Sequence, residues 1–90
     1  MLTLIAYDLK SPDKDYKSLY DAIKNLGDKW WHYMDSLWLV HTNLSPEECS
    51  HRLQEEIEKN DHLLVVDITN QHRQGWLPSK AWEWIKANNN

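Results

Sequence analysis

The sequence contains no phenylalanine, and it has only one cysteine, two glycines and three prolines among its 90 residues. The single cysteine, Cys49, excludes an intramolecular disulfide and suits a reducing compartment. A glycine-rich phosphate-binding loop and the G-x-S-x-G pattern of serine hydrolases are both absent, and Cys49 falls in a predicted helix without a matched histidine. The sequence therefore argues against nucleophilic catalysis.

A basic excess and a long apolar run are also missing. Ten Lys and Arg residues against fourteen Asp and Glu residues give a formal net charge of −4, whereas a non-specific nucleic-acid binder normally carries a basic face. Binding through a local patch or a metal ion stays open. No run has the length of a membrane span, and the N-terminal apolar run lacks the features of a signal peptide. We therefore expect a cytoplasmic protein that does not enter a membrane.

The five histidines, His32, His41, His51, His62 and His72, lack the paired spacing of a zinc site. His32 and His41 fall on two strands that are predicted to form a hairpin. They either meet across the pair or serve as polar residues at its rim. A structural zinc ion is not expected.

Tryptophan is the residue that the chain has in excess, with six copies. Each one brings a large apolar surface and one N–H group that needs a partner. A domain of this size cannot bury all six, so some of them are expected to mark a subunit or ligand surface. The six are Trp30, Trp31, Trp38, Trp76, Trp82 and Trp84.

Apolar periodicity divides the chain into seven elements. It predicts strands over 2–7, 30–33, 37–40 and 62–68, and helices over 16–26, 46–59 and 79–87. Local signals support three of the boundaries. Asp15 is a candidate N-cap, Gly27 a candidate C′ glycine, and the SPEE segment 45–48 has the pattern of a capping box. Ser11-Pro12-Asp13 has the chemistry of a turn.

The order of the first six elements, β-α-β-β-α-β, predicts a ferredoxin-like α+β fold with two helices on one face of an antiparallel sheet in the order 4-1-3-2. This domain covers residues 1–69, and residues 70–90 form an extension with a short Trp-rich helix. The hairpin carries apolar groups on both faces, so the second face needs a cover. We prefer a homodimer; the alternative is a tail that folds back onto its own sheet.

Asp8 ends the first apolar strand and is the leading candidate for chemistry. Carboxylates at strand ends in α/β layers can face a ligand crevice and bind a metal ion. The competing interpretation is that Asp8 caps the loop that follows. Asp67, in the last strand, approaches Asp8, forms a surface ion pair or caps the end of its own strand.

Four landmarks in this order resemble a known family: Tyr7-Asp8 at the end of a strand, Gly27 after a helix, the LSPEE segment 44–48, and Asn60-Asp61 before an apolar strand. The chain is similar to the small CRISPR-associated ferredoxin-like proteins and to their VapD-type toxin relatives over residues 1–68. The tail, with GWL at 75–77 and WEW at 82–84, is more similar to uncharacterised bacterial homologues labelled SinR-like.

The resemblance implies a homodimer in which the carboxylates after the first strand lie near the dimer axis. In family members with nuclease activity this pair holds a divalent metal ion for phosphodiester hydrolysis. Asp8 matches that position, so the resemblance implies an Mg²⁺-dependent endonuclease, with RNA favoured over DNA as substrate. Candidate nucleic-acid or partner-binding residues are Tyr7, Lys10, Trp31 and Trp38; candidate dimer-interface residues are Trp76, Trp82 and Trp84.

The chain differs from this family in the charge at the start of its first helix. Where the family has basic residues at the start of its first helix, segment 13–17 reads DKDYK and is nearly balanced. The second hypothesis is therefore a non-catalytic module that uses the same scaffold to bind or regulate a protein partner.

Overall fold

The computed structural model describes residues 1–11 and 13–90. The turn predicted at Ser11-Pro12-Asp13 thus lies partly outside the described residues. The elements are β1 (Leu2–Asp8), α1 (Lys17–Lys24), β2 (Lys29–Met34), β3 (Leu37–His41), α2 (Pro46–Gln54), β4 (His62–Asp67) and α3 (Ser79–Ala87). The α+β class is confirmed.

The four strands form one antiparallel sheet in the order β2-β3-β1-β4. β1 lies between β3 and β4, so its two faces carry the central part of the core. Its pairing with β4 sets Asp8 opposite His62 at one end and Thr3 opposite Asp67 at the other. β2 and β4 are the edge strands of the described sheet.

The first face of the sheet is covered by α1 and α2. Ile5, Trp38 and Val40 project from the strands into a cluster with the buried side chains of both helices. Alternate strand residues share a face, and Ile5 and Trp38 are cross-strand partners. The helical members of this cluster are Leu19, Ile23, Cys49 and Leu53. Cys49 is buried and lies in the predicted helix.

The opposite face is partly covered by α3. Leu2 and Leu39 form a second buried cluster with Ile85, and Trp82 and Trp84 pack against it. The tail therefore folds back onto its own sheet, which is the alternative that the sequence left open. The last residues are held as well: Asn88 is buried, and Asn89 exchanges hydrogen bonds with Asn70. Hydrogen bonds of these amide side chains therefore hold the end of the chain against the rest of the fold.

The start of α2 confirms the predicted capping box. The Ser45 hydroxyl accepts the N–H of Glu48, and the Glu48 carboxylate accepts the N–H of Ser45. The helix ends at Gln54 rather than near residue 59. Ile57, beyond its end, still packs against the first cluster.

The predicted role of Gly27 was wrong. α1 ends at Lys24 with Asn25 as its C-cap, and neither described glycine has a positive φ. Gly27 instead lies against β3, where an added Cβ would be 1.8 Å from the carbonyl oxygen of His41. The glycine is thus required by a close approach of two backbone segments.

Among the described residues, no helix is long and apolar enough to cross a membrane.

Candidate functional site

Asp8 lies exposed at the end of β1, beside two other ionisable groups. Its carboxylate is 2.7 Å from the ammonium group of Lys10. His62, the first residue of β4, is its cross-strand partner, and directly opposite residues in an antiparallel pair have Cβ atoms about 4.5–5.5 Å apart. A carboxylate, an ammonium and an imidazole therefore meet at one exposed corner of the sheet.

Asp61 fixes the backbone that carries Lys10. The buried Asp61 carboxylate accepts the backbone N–H of Lys10 and that of Glu58, each at 2.8 Å, and the hydroxyl of Tyr16 at 2.9 Å. Burial of this carboxyl acts to raise its pKa, but the two N–H donors and the Tyr16 hydroxyl outweigh burial, so the pKa is lowered. The ionised form of Asp61 therefore ties the loop after β1 to the start of β4.

The lowered pKa of Asp61 makes stability depend on pH. Because the folded-state pKa lies below the unfolded value of about 3.9, the stabilisation is complete above that value and is lost as the pH falls through the folded pKa. We expect Asp61→Asn to lower the free energy of unfolding at pH 7. We expect the gap between the variant and the wild type to narrow below about pH 4. Urea unfolding at pH 7 and pH 3 measures both; a gap that is the same at the two pH values contradicts this role.

Tyr7 and Trp38, two predicted binding residues, lie together on the opposite face of the sheet from Asp8. The Trp38 indole N–H donates to the Tyr7 hydroxyl at 3.1 Å, and this hydroxyl donates to the Asp35 carbonyl. Burial raises the pKa of Tyr7, and the hydrogen bond from Trp38 partly opposes that. Trp38 is buried, with His32 stacked at 3.8 Å and Tyr20 at 6.1 Å between ring centroids. Because Trp38 is only 2% exposed, its ring is enclosed by its neighbours, and the prediction that it binds nucleic acid or a partner was wrong.

The remaining predicted tryptophans lie on the face that α3 covers. Trp31 is half-buried and stacks with Tyr33. Trp82 and Trp84 are half-buried against their own sheet. Trp76 is different: it is 99% exposed. Of the three predicted interface residues, Trp76 is thus the one with a free side chain.

Two predicted encounters do not occur. His41 pairs with Lys29 in the sheet, and its Nδ1 is hydrogen-bonded to the Asp28 carboxylate at 2.7 Å. The carbonyl oxygen of Leu37 accepts from Nδ1 of His32 at 3.1 Å. Asp67 lies at the far end of β4 from Asp8, because the two strands run antiparallel. Its carboxylate accepts the N–H of Thr69, which is the predicted alternative of a strand-end cap.

An exposed apolar strip begins beside Asp8. Leu64 and Val66 follow His62 at alternate positions of β4, so they share a face with it. They lie opposite Ala6 and Leu4 of β1. Leu64 is 60% exposed and Val66 38% exposed. We call these two residues the β4 strip.

His62 was missed by the sequence reasoning, although it is the group nearest to Asp8 in the strand register. The two residues are 54 positions apart, and only the pairing of β1 with β4 brings them together. A shallow hollow of about 220 Å³ lies between them, lined by Ala6, Tyr7, Leu63 and Leu64 as well.

The side chains at this corner can be compared with the ligands that Mg²⁺ prefers. Mg²⁺ prefers oxygen ligands, keeps several waters and is typically held by only one or two carboxylates. Asp8 is one exposed carboxylate with open space around it, which fits half of such a site. Within the part of the chain that the structure describes, no group of three or more His, Cys, Asp or Glu side chains gathers in metal-binding range. A second Asp8 carboxylate from another copy would complete such a pair of ligands.

Comparison of the chain with protein-family models, with curated proteins and with solved structures finds no match.

Proposed function

We propose that this chain is a homodimeric, ferredoxin-like, metal-dependent endoribonuclease in which Asp8 of each copy holds the metal ion. The strand order β2-β3-β1-β4, with α1 and α2 on one face, supports the ferredoxin-like arrangement. The proposal rests on one observation: Asp8, Lys10 and His62 meet at an exposed end of two paired strands.

Each of these groups has a role in phosphodiester hydrolysis. Asp8 supplies the negative charge that holds a divalent cation. The Lys10 ammonium is 2.7 Å from Asp8 and would be free to contact a backbone phosphate if a cation took its place at the carboxylate. His62 is an exposed imidazole, and imidazole is the side chain that most often transfers a proton in catalysis, so it serves as the group that accepts or donates a proton.

Mg²⁺ at Asp8 would polarise a phosphate oxygen and lower the pKa of a bound water. The two Asp8 side chains of a dimer give the one or two carboxylates that this ion typically uses.

The β4 strip supports the dimer. Leu64 is one alternate position from His62 on the same face, and Leu64 and Val66 are both exposed. A twofold interface whose axis passes near Leu64 would bring the Asp8 side chains of both copies close to that axis. The rest of this face of the sheet packs against α3 of the same chain.

The activity is tested with the wild-type protein and a fluorescently labelled single-stranded RNA that contains all four bases. We expect internal cleavage with MgCl₂ or MnCl₂ and none with EDTA. A labelled DNA of the same sequence distinguishes the two substrates, and we expect slower cleavage or none. Intact RNA with every metal tested, at protein concentrations where the dimer is formed, contradicts the proposal.

A second candidate is a non-catalytic module for a protein partner, and the exposure of Trp76 favours it. A tryptophan with 99% of its surface exposed is typical of the aromatic anchors on which binding energy concentrates.

This module predicts that Trp76→Ala abolishes capture of the partner from a cell extract while Asp8→Asn leaves it intact. Trp76→Ala is expected to change the free energy of unfolding little, because the Trp76 side chain is almost fully exposed. The measurement is a pull-down with both variants side by side. Equal capture by the wild type and Trp76→Ala rules out this anchor.

A further inference from the structure

An apolar groove lies between part of α3 and the sheet, on the face opposite to α1. Its volume is about 310 Å³, which is at the lower end of the range for small-molecule sites. Segment 73–77 forms its rim. The apolar side chains along it come from the sheet, from α3 and from the segment between β4 and α3: Leu4, Trp31, Met34, Leu37, Leu39, Ile68, Leu77, Trp82 and Ile85.

Arg73 is the one charged residue among those that line the groove. One terminal nitrogen of its guanidinium donates to the carbonyl of Ile68 and to the side-chain oxygen of Asn89. Its Nε is buried and has no hydrogen-bond partner among the described residues. Arg73 also forms no ion pair within the described part of the chain.

The position of Arg73 is fixed by the chain end. Asn89, which accepts from the guanidinium, also exchanges two hydrogen bonds with Asn70. The cation is therefore held at the groove by a built network, with a donor left over. A buried donor without a partner costs free energy, and a cation beside apolar walls attracts an anion that can pair with it.

We infer that this groove binds a carboxylic acid with an apolar body, the hydrocarbon lying between the sheet and α3 and the carboxylate on Arg73. The charges point to this class: the lining has one positive charge and no carboxylate. Nη2 is engaged and Nε is enclosed, so the carboxylate contacts Nη1, which has no hydrogen-bond partner among the described residues, and a hydrogen bond between charged groups is stronger than a neutral one. The apolar walls select a hydrocarbon body over a sugar or a free phosphate. This site is independent of the nuclease proposal.

The test uses decanoate, with decanol as its uncharged match, and follows binding by tryptophan fluorescence and calorimetry. Decanoate is kept below its micelle-forming concentration. We expect saturable one-to-one binding of decanoate to the wild type. We expect Arg73→Gln to weaken decanoate about tenfold or more and to leave decanol binding unchanged. Arg52→Gln is the matched control, since Arg52 is an exposed arginine on α2 outside the groove, and it should bind decanoate like the wild type.

A second variant tests the groove without changing Arg73, in case Arg73→Gln does not fold. Trp76→Ala removes an exposed side chain at the rim, and we expect it to weaken decanoate and decanol by the same factor. Circular dichroism confirms the fold of each variant. The inference is overturned by unsaturable or absent decanoate binding, by equal affinity of the wild type and Arg73→Gln, or by decanoate breaking an oligomer apart, which would make a second copy the occupant of the groove.

Discussion

Replacing Gly27 with alanine is expected to destabilise the fold by about 3 kcal/mol or more, at the upper end of the range for overpacking. The added Cβ would be 1.8 Å from the carbonyl oxygen of His41 and 2.7 Å from its carbonyl carbon. These are backbone atoms of β3, so they cannot swing aside as the end of a flexible side chain can. The same stretch contains the hydrogen bond from the Asp28 N–H to the His41 carbonyl. Relief of the clash therefore requires the turn to move away from the sheet.

Gly75→Ala is the matched control. A Cβ at Gly75 has its nearest neighbours at 3.8 Å, on the ring of Trp82, and exposed substitutions without such conflicts stay within about 0.5 kcal/mol. Urea unfolding of the two variants and the wild type measures the difference. If Gly27→Ala is as stable as Gly75→Ala, the close approach of the turn to β3 is not a feature of the folded protein.

Asp8→Asn is expected to lower metal-dependent RNA cleavage by about 100-fold or more, because metal polarisation is worth several kcal/mol and each 1.36 kcal/mol is a factor of ten in rate. The amide keeps the shape of the side chain and removes its charge. Since the Asp8–Lys10 ion pair is exposed on both sides, its loss should have little effect on stability. The variant should therefore stay folded and dimeric while its activity is lost.

Asp21→Asn is the control for charge. Asp21 is also paired with a lysine, Lys17, at 2.6 Å on an accessible surface, but it lies on α1, away from Asp8. Rates are compared at equal protein and Mn²⁺ concentrations, with dimer content checked by sedimentation. Equal rates for the wild type and Asp8→Asn assign the cleavage to another group, or to a contaminant, and contradict the proposed role of Asp8.

Sequence alone predicted the parts of this fold that depend on local interactions. The capping box at Ser45 and Glu48 needs only residues three positions apart, and it is present. The helix predicted over 79–87 has these bounds in the structure. Each signal acts within one turn of helix, so it can be recognised without knowledge of the tertiary structure.

The misread features depend on contacts between distant parts of the chain. Gly27 was interpreted as a helix terminator from its position after an apolar stripe, whereas its constraint comes from His41 on another strand. Trp38 was a candidate binding residue, but its ring is buried, with His32 and Tyr20 stacked against it. Composition shows that tryptophan is abundant and does not show which indoles the sheet and helices enclose.

The candidate site was predicted in part. Asp8 follows from its place after an apolar run, and its exposure is consistent with a ligand role. His62 required the register of β1 against β4, and the same register separates Asp67 from Asp8. The sequence reasoning treated these strands as neighbours without using their antiparallel direction, which sets the start of one against the end of the other.

The distance between the Asp8 carboxylates of two copies tests the central claim most directly. It can be measured in crystals of the wild-type protein grown with Mn²⁺, which shares the oxygen ligands of Mg²⁺ and is located by its anomalous scattering. The account predicts one ion between two Asp8 side chains across a twofold axis, with the β4 strip buried in the interface. Two Asp8 carboxylates too far apart to share an ion, in a protein that sediments as a monomer, would contradict it.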